Sequence, residues 1–393
     1  MKLFSCICGV TSSLFFESTQ CTTCGRLTGY CQDIKAVIGF DKTELDGIYT
    51  STVNGKSYRQ CDNYSLHQAC NGMVPTDSIE ADVLPNQMLC FSCHFNDNIP
   101  NLSVPGHINL WRKLEMAKRR TLLTLDALNL PLLDKQEDPE MGLSFDFLAD
   151  KQVNDHFATP LDGHEPVFTG HNNGHITINI AEADDVARAS TRLAMGERYR
   201  TLLGHFRHEI GHYYWELLVS RQSAECKRFR ALFGDERESY QDALDHHYEH
   251  GAPENWQDNF ISQYASMHPW EDFAETWSHY MHMIDTLETA QTFGLQITTN
   301  NHSDDSTDMT ELSLPQAINY FDKKSSLLDM IETWVRFSVI LNSLNRSMGL
   351  PDAYPFVFNE VIEKKLRYIH YLIHSSASQK KVKQPQDKTA PEH

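Results

Sequence analysis

The chain lacks any run of 18 or more apolar residues, so it offers no helix able to span a bilayer. Its start is equally poor in apolar length: only Leu3 and Phe4 separate Lys2 from Ser5-Cys6, too few for the apolar core of an export signal. A cytoplasmic protein without membrane partners is therefore expected. Positive charge is scarce, with 34 Lys and Arg against 53 Asp and Glu and a net charge of −19. That deficit argues against nucleic acid as a partner, because phosphate neutralisation needs clustered cations on one surface. The local exception is Arg112, Lys113, Lys118, Arg119 and Arg120, read as the solvated face of a helix. No repeat at solenoid periods occurs, which removes repeat architectures. Cysteine is almost missing beyond residue 93, where Cys226 stands alone.

What is present is a folding composition in a chain of 393 residues, longer than one core usually serves, so two or three domains are expected. Nine cysteines crowd between Cys6 and Cys93. In a reducing compartment such paired spacing means metal more often than disulfide. Cys6-x-Cys8-Gly and Cys21-x-x-Cys24-Gly place four thiolates on two tight turns that glycine lets curl around an ion. Cys61, Cys70 and Cys90-x-x-Cys93 offer a second set, in which ligand exchange with the first set, or His94 in place of a cysteine, stays open. Cys31 is odd and reads as a buried free thiol. Closed four-thiolate sites are structural, since no position remains for water or substrate.

Downstream, Leu114, Ala117, Leu122, Leu125 and Leu128 recur near helical spacing and predict a helix over about 109–130, ended by Pro131. The acidic stretch 134–150 reads as a surface connection. The alternation in His175-Ile176-Thr177-Ile178-Asn179-Ile180 predicts a half-buried strand, a candidate cleft rim for an extended peptide. Residues 183–220 and 235–287 read as helical, the latter broken near Gly251-Ala252-Pro253, and 315–344 as a core helix. A polar loop is expected at 298–310 and a disordered tail from 375. The resulting domains are a zinc-ribbon module (1–105), a helix and linker (106–142), a main domain (143–374) and the tail (375–393).

The chemistry concentrates in Arg207-His208-Glu209-Ile210-Gly211-His212. Histidines four apart share a helical face, so both imidazoles reach one ion, and Glu209 projects beside them toward a metal-activated water. His205, His208, Glu209, His212 and Glu216 form a polar stripe on a helix whose other faces are Leu202, Leu203, Phe206, Ile210, Tyr213, Tyr214, Leu217 and Leu218. Five ionisable groups on a largely buried helix are costly unless a cation or a wet cleft receives them. A third ligand is sought in His268-Pro269-Trp270-Glu271-Asp272-Phe273-Ala274-Glu275, where proline at the first helical position and first-turn acids open a helix. Glu271 and Glu275 share a face there, so one can ligate while the other orients a histidine. His246, His247 and His250 compete as ligands but read as a polar surface patch. His205 reads as lining the cleft or supporting a ligand.

These segments, with Glu115–Arg120, Ile178-Asn179-Ile180-Ala181-Glu182-Ala183-Asp184 and Tyr199-Arg200-Thr201-Leu202-Leu203-Gly204-His205, make the chain resemble a bacterial family of zinc-binding metallopeptidases with an N-terminal zinc ribbon, through about residue 370. The second half is also similar to gluzincins. That resemblance implies Glu271 rather than Glu275 as third ligand and gives Tyr264, seven residues earlier, as an electrophilic partner. The expected architecture is α+β: a zinc ribbon with rubredoxin-like knuckles, then a mainly helical zincin-like domain with a small β-sheet. The expected activity is hydrolysis of peptide or protein substrates with Glu209 as general base, one catalytic Zn2+ and one or two structural ones. The alternative is a non-catalytic adaptor whose ribbon docks a protein partner.

Overall fold

A computed structural model describes residues 2–9, 13–76, 88–152, 164–194 apart from 166 and 168, 200–299, 310–313, 320–322 and 325–383. It divides into two units, one of residues 1–122 and 134–191, the other of 123–133 and 192–393. These cuts differ from the sequence-drawn boundaries near 105 and 142. The fold is α+β, with the strands gathered mainly in the first unit and the long helices in the second.

In the first unit a short hairpin pairs β1 (Phe4–Ser5) with β2 (Ser13–Leu14). A five-stranded closed barrel follows: β3 (Leu27–Cys31), β4 (Ala36–Lys42), β5 (Tyr49–Ser51), β6 (Ser57–Gln60) and β7 (Gly72–Pro75). A single turn α1 (Asp62–Ser65) precedes β7. Its ladders are antiparallel except the closing pair β3–β7, which is parallel. Ile38, Phe40, Tyr58 and Met73 fill the interior beside the buried Cys31. Burial pushes the Cys31 thiol well above its ordinary range, so it behaves as a small apolar group.

The second sheet of this unit runs β12-β13-β9-β8, from β8 (Asn96–Asn98), β9 (Ser144–Leu148), β12 (Gly170–Asn172) and β13 (His175–Asn179). A separate two-stranded ladder joins β10 (Lys151–Gln152) to β11 (His164–Glu165). Ile176 and Ile178 are buried while His175, Thr177 and Asn179 are half-buried, the period-2 pattern of one covered face. Strand β13 has β12 on one side and parallel β9 on the other, so over His175–Thr177 both edges are occupied. A peptide cannot add to it there, and the reading of this strand as a cleft rim is set aside.

Helix α2 (His107–Ala127) ends short of Pro131. Asn129 takes φ +56° and Leu130 N–H reaches back to the Leu125 carbonyl at 3.1 Å, the six-to-one closure that satisfies a helix end. Two of the five residues of its basic run are buried rather than solvated. Lys118 is fully buried with its ammonium on Glu115 at 2.9 Å, and Arg119 donates to Asn71 and stacks on Phe16. Only a paired cation survives such burial, and helical spacing alone could not reveal the partners.

Helix α3 (Asp185–Ala194) leads toward the second unit. There Thr201 caps α4 (Leu202–Trp215) by accepting from Gly204 N–H, and a π-turn, Glu216–Ser220, continues it. Helices α5 (Ser223–Phe233) and α6 (Tyr240–His250) follow, then α7 (Pro269–Thr292). A hairpin of β14 (Gln296–Thr299) and β15 (Thr310–Ser313) flanks the expected polar loop and takes in its ends, Thr298, Thr299 and Thr310; residues 300–309 lie outside the described set. Helix α8 (Leu327–Ser347) is capped by Ser326, which accepts from Asp329 N–H; residues 314–319, in the stretch expected to be helical from Pro315, lie outside the described set. Helix α9 (Glu360–Lys383) carries the chain past residue 375, where disorder was expected; residues 384–393 lie outside the described set.

Helix α9 is pinned to α7 by one buried cation. Lys365 Nζ lies 2.5 Å from Asp272 Oδ2 and donates to the Asn259 carbonyl at 2.6 Å, 4.6 Å from the Phe260 ring centroid. Burial raises the Asp272 carboxyl to about 7 against the pull of Lys365. Lys365→Met leaves that carboxylate without its partner and should cost about 3–5 kcal/mol, while Asp272→Asn in the same chain restores most of it. Urea denaturation checks this; a loss below about 1 kcal/mol for Lys365→Met would contradict the anchor.

Candidate metal centre

Two thiolate clusters form in the first unit. Cys6 and Cys24 sulfurs are 3.8 Å apart, and Cys8 and Cys21 3.7 Å. A disulfide needs about 2.05 Å, whereas a tetrahedron with metal–sulfur bonds of about 2.3 Å has edges of about 3.8 Å. The spacing therefore fits an ion and excludes cystines, and all ten cysteines are free. Gly25, at φ +72°, closes the second turn by donating to the Cys21 carbonyl. The backbone N–H of Cys24 is the chief group drawing the Cys21 thiol down to about 6, in the direction of the thiolate a metal needs.

The second cluster gathers Cys61, Cys70, Cys90 and Cys93, all buried. Gly72 permits it, since a Cβ there would fall 2.3 Å from Cys90 Cβ. His94 is exposed and stays outside the group, and no cysteine is exchanged between the clusters. A further set, Asp97, Asp146 and His175, meets on the four-stranded sheet. Its bonds close locally: His175 takes Ser144 at 2.7 Å and Asp146 at 2.8 Å, Asn98 holds the other Asp146 oxygen at 2.8 Å, and Asp97 is exposed.

The second unit holds the nitrogen–oxygen set. Helix α4 lies along α7, with Gly211 against Ala274: a Cβ at Gly211 would stand 2.9 Å from Ala274 Cα and 3.2 Å from Trp277 Cβ. This close approach brings His208 Nε2 to 2.9 Å and His212 Nε2 to 3.4 Å from Glu271 Oε2, with the two nitrogens 3.1 Å apart. His268 starts α7 by accepting from Trp270 N–H at 3.1 Å, and Pro269 sits in its first turn, which places Glu271 at this depth. All three side chains are buried, Glu271 to 1% exposure. Burial alone would neutralise Glu271, yet the two imidazoles hold its carboxyl well below the ordinary range. These three donor atoms lie close enough together to hold one cation, and two imidazoles with one carboxylate are the donor set of an open zinc site.

One turn on, Glu275 Oε1 meets His208 Nδ1 at 2.8 Å while Ser262 donates to Oε2 at 2.6 Å. The ring of His208 is thereby fixed with Nε2 toward its neighbours. His212 rests under the Trp270 indole, ring centroids 3.9 Å apart. Glu209 is buried beside His205, 3.3 Å away; burial opposes ionisation, but His205, His208 and His212 hold its carboxyl below its ordinary value. Tyr264 is half-buried, its ring centroid 5.9 Å from His208. Of the competing histidines, His246 and His250 stack on each other in solvent, and His247 meets the rings of Tyr264 at 6.0 Å and Tyr248 at 6.1 Å.

Two groups escaped the sequence. Tyr240 donates to Glu271 Oε1 at 2.9 Å from a helix 31 residues upstream, a distance no local pattern spans. Arg207, next to His208, is buried with Nη1 2.6 Å from His282 Nδ1 and an ion pair to Asp285, which Thr124 also holds at 2.7 Å. Its apolar neighbours in sequence gave no sign of those partners.

A helical zinc site behind a zinc ribbon defines the class, and the comparisons agree. Residues 107–372 match the family model described as "Putative zinc-binding metallo-peptidase", and residues 3–104 match that of a zinc-ribbon domain. The chain belongs to this zinc-binding metallo-peptidase family. It is similar to uncharacterized proteins of Mycobacterium bovis and Mycobacterium tuberculosis, 38% identical over 374 residues, covering 95% of this chain and 95% of each relative. No solved structure matches. Among the described residues no helix is long and apolar enough to cross a membrane.

The glycine contact yields a direct test. Gly211→Ala forces α4 away from α7, so it should cost about 1–3 kcal/mol and lower the metal content of the purified protein. Thermal melting and elemental analysis read both; values equal to wild type would contradict the close approach.

Proposed function

We propose that the chain is a zinc-dependent peptidase acting on peptide or protein substrates, with His208, His212 and Glu271 holding the catalytic ion and the two cysteine sets holding structural ones. The convergence of His208 Nε2, His212 Nε2 and Glu271 Oε2 within 4.8 Å carries the reading. Such an ion supplies Lewis acidity, polarising a peptide carbonyl and lowering the pKa of a water to about 7.

Glu209 follows His208 in the helix and is ionised, so it serves as the base that takes a proton from the attacking water and returns it to the leaving amine. His205 steadies that carboxylate. Glu275 holds His208 in the tautomer that ligates. Tyr264, beside His208, is the group placed to donate to the developing oxyanion.

Glu209→Gln should keep its zinc and lose hydrolysis of a peptide library by about 10²–10⁴-fold. Undiminished turnover would remove Glu209 as the base. Elemental analysis of wild type should give one zinc for each of the three ligand sets, a count that His208→Ala lowers by one and that Cys93→Ser also lowers by one. An unchanged count in His208→Ala refutes the catalytic site itself.

A further inference from the structure

Glu271 uses one oxygen, Oε2, toward the two imidazoles, and its other oxygen is as deeply buried. A buried carboxylate oxygen left without a donor is costly, and a carboxylate with both oxygens available can grip an ion with either one or both. Tyr240 settles both matters by placing its hydroxyl 2.9 Å from Oε1.

The helix that delivers this hydroxyl has no other evident task at the site. None of the residues of α6 is fully buried. Its half-buried positions, Tyr240, Ala243, Leu244 and His247, follow the i, i+3, i+4, i+7 spacing of a single thin inner face. Tyr240 is seated by ring contacts to His268 at 5.4 Å and Trp270 at 6.0 Å, the residues that open α7 just before Glu271. Ser239 caps α6 one residue before Tyr240, which fixes where the phenol emerges.

Resting on the reading of His208, His212 and Glu271 as a zinc site, we infer that Tyr240 is a positioning residue: its hydroxyl holds Glu271 as a one-oxygen ligand and keeps a coordination position open. It touches neither substrate nor metal and acts through Glu271. The phenol ring alone would satisfy packing; the hydroxyl is what the inference requires.

The test compares full-length wild type, Tyr240→Phe, Glu271→Gln and His208→Ala. Zinc affinity of the chelator-labile site is measured by competition, and visible absorption is recorded after cobalt is exchanged into that site while the thiolate sites keep zinc. Tyr240→Phe should bind zinc about 10–100-fold more weakly and show an altered cobalt spectrum, because Glu271 is then free to engage with both oxygens. Because Glu271 Oε1 then lacks its donor, the melting temperature of Tyr240→Phe after removal of the labile metal should fall below that of wild type treated the same way, so the cobalt spectrum, which a merely structural role would leave unchanged, carries the test. Wild-type affinity and spectrum in Tyr240→Phe overturn the inference. Glu271→Gln and His208→Ala separate the two failures. If they retain the labile metal, the zinc site itself is misassigned; if they lose it while Tyr240→Phe matches wild type, only the role of Tyr240 falls.

Discussion

The second unit depends on one contact, the line along which α4 and α7 touch at Gly211 and Ala274. Without a side chain at Gly211 the two helices approach closely enough for His208, His212 and Glu271 to aim at one point. Once they do, the interior gathers two imidazole nitrogens and a carboxylate oxygen close enough to hold one cation. The neighbouring polar groups follow from that constraint. Glu275 and Ser262 set the His208 ring, Trp270 covers His212, and Tyr240 occupies the spare oxygen of Glu271.

The chain uses two solutions to the same problem of polar atoms in a small or buried space. In the first unit, sulfurs on tight glycine turns surround a point completely, which suits an ion that replaces hydrophobic core in short β-structure. In the second, two helices bring His208, His212 and Glu271 together, the set proposed to hold the catalytic ion. Glycine serves both: Gly25 through its left-handed backbone, Gly72 and Gly211 by omitting a Cβ where another chain segment passes.

Buried ion pairs tie each unit together away from the metals. Lys118 with Glu115 lies under the four-stranded sheet near Phe145 and Phe147, while Arg207 with Asp285 and Lys365 with Asp272 flank α7 on other sides. Replacing such pairs by apolar residues need not weaken a protein, but removing one partner does, so they fix which helices dock where more than how firmly. Two of them adjoin functional segments, Arg207 next to His208 and Asp272 next to Glu271, and so the docking of α7 against α9 and of α4 against α7 is coupled to ligand placement.

By itself the sequence determined the α+β class, the separation of thiolate from imidazole chemistry, and the small set of residues able to ligate, because each rests on short-range spacing: Cys-x-x-Cys on one turn, His208 and His212 on one helical face, Glu271 and Glu275 on another. It also anticipated the half-buried strand at His175–Asn179 from its alternation. Only the tertiary structure decided what depends on partners distant in the chain. It buried Lys118 and Arg119, whose run looked solvated, by supplying Glu115 and Asn71; it kept His94 out of the second cluster; it closed both edges of β13 over His175–Thr177; it began α8 at Ser326 and drew α9 past the expected tail; and it brought Tyr240 to Glu271. Periodicity reports which face a side chain occupies, whereas what meets that face is settled by packing between segments tens of residues apart.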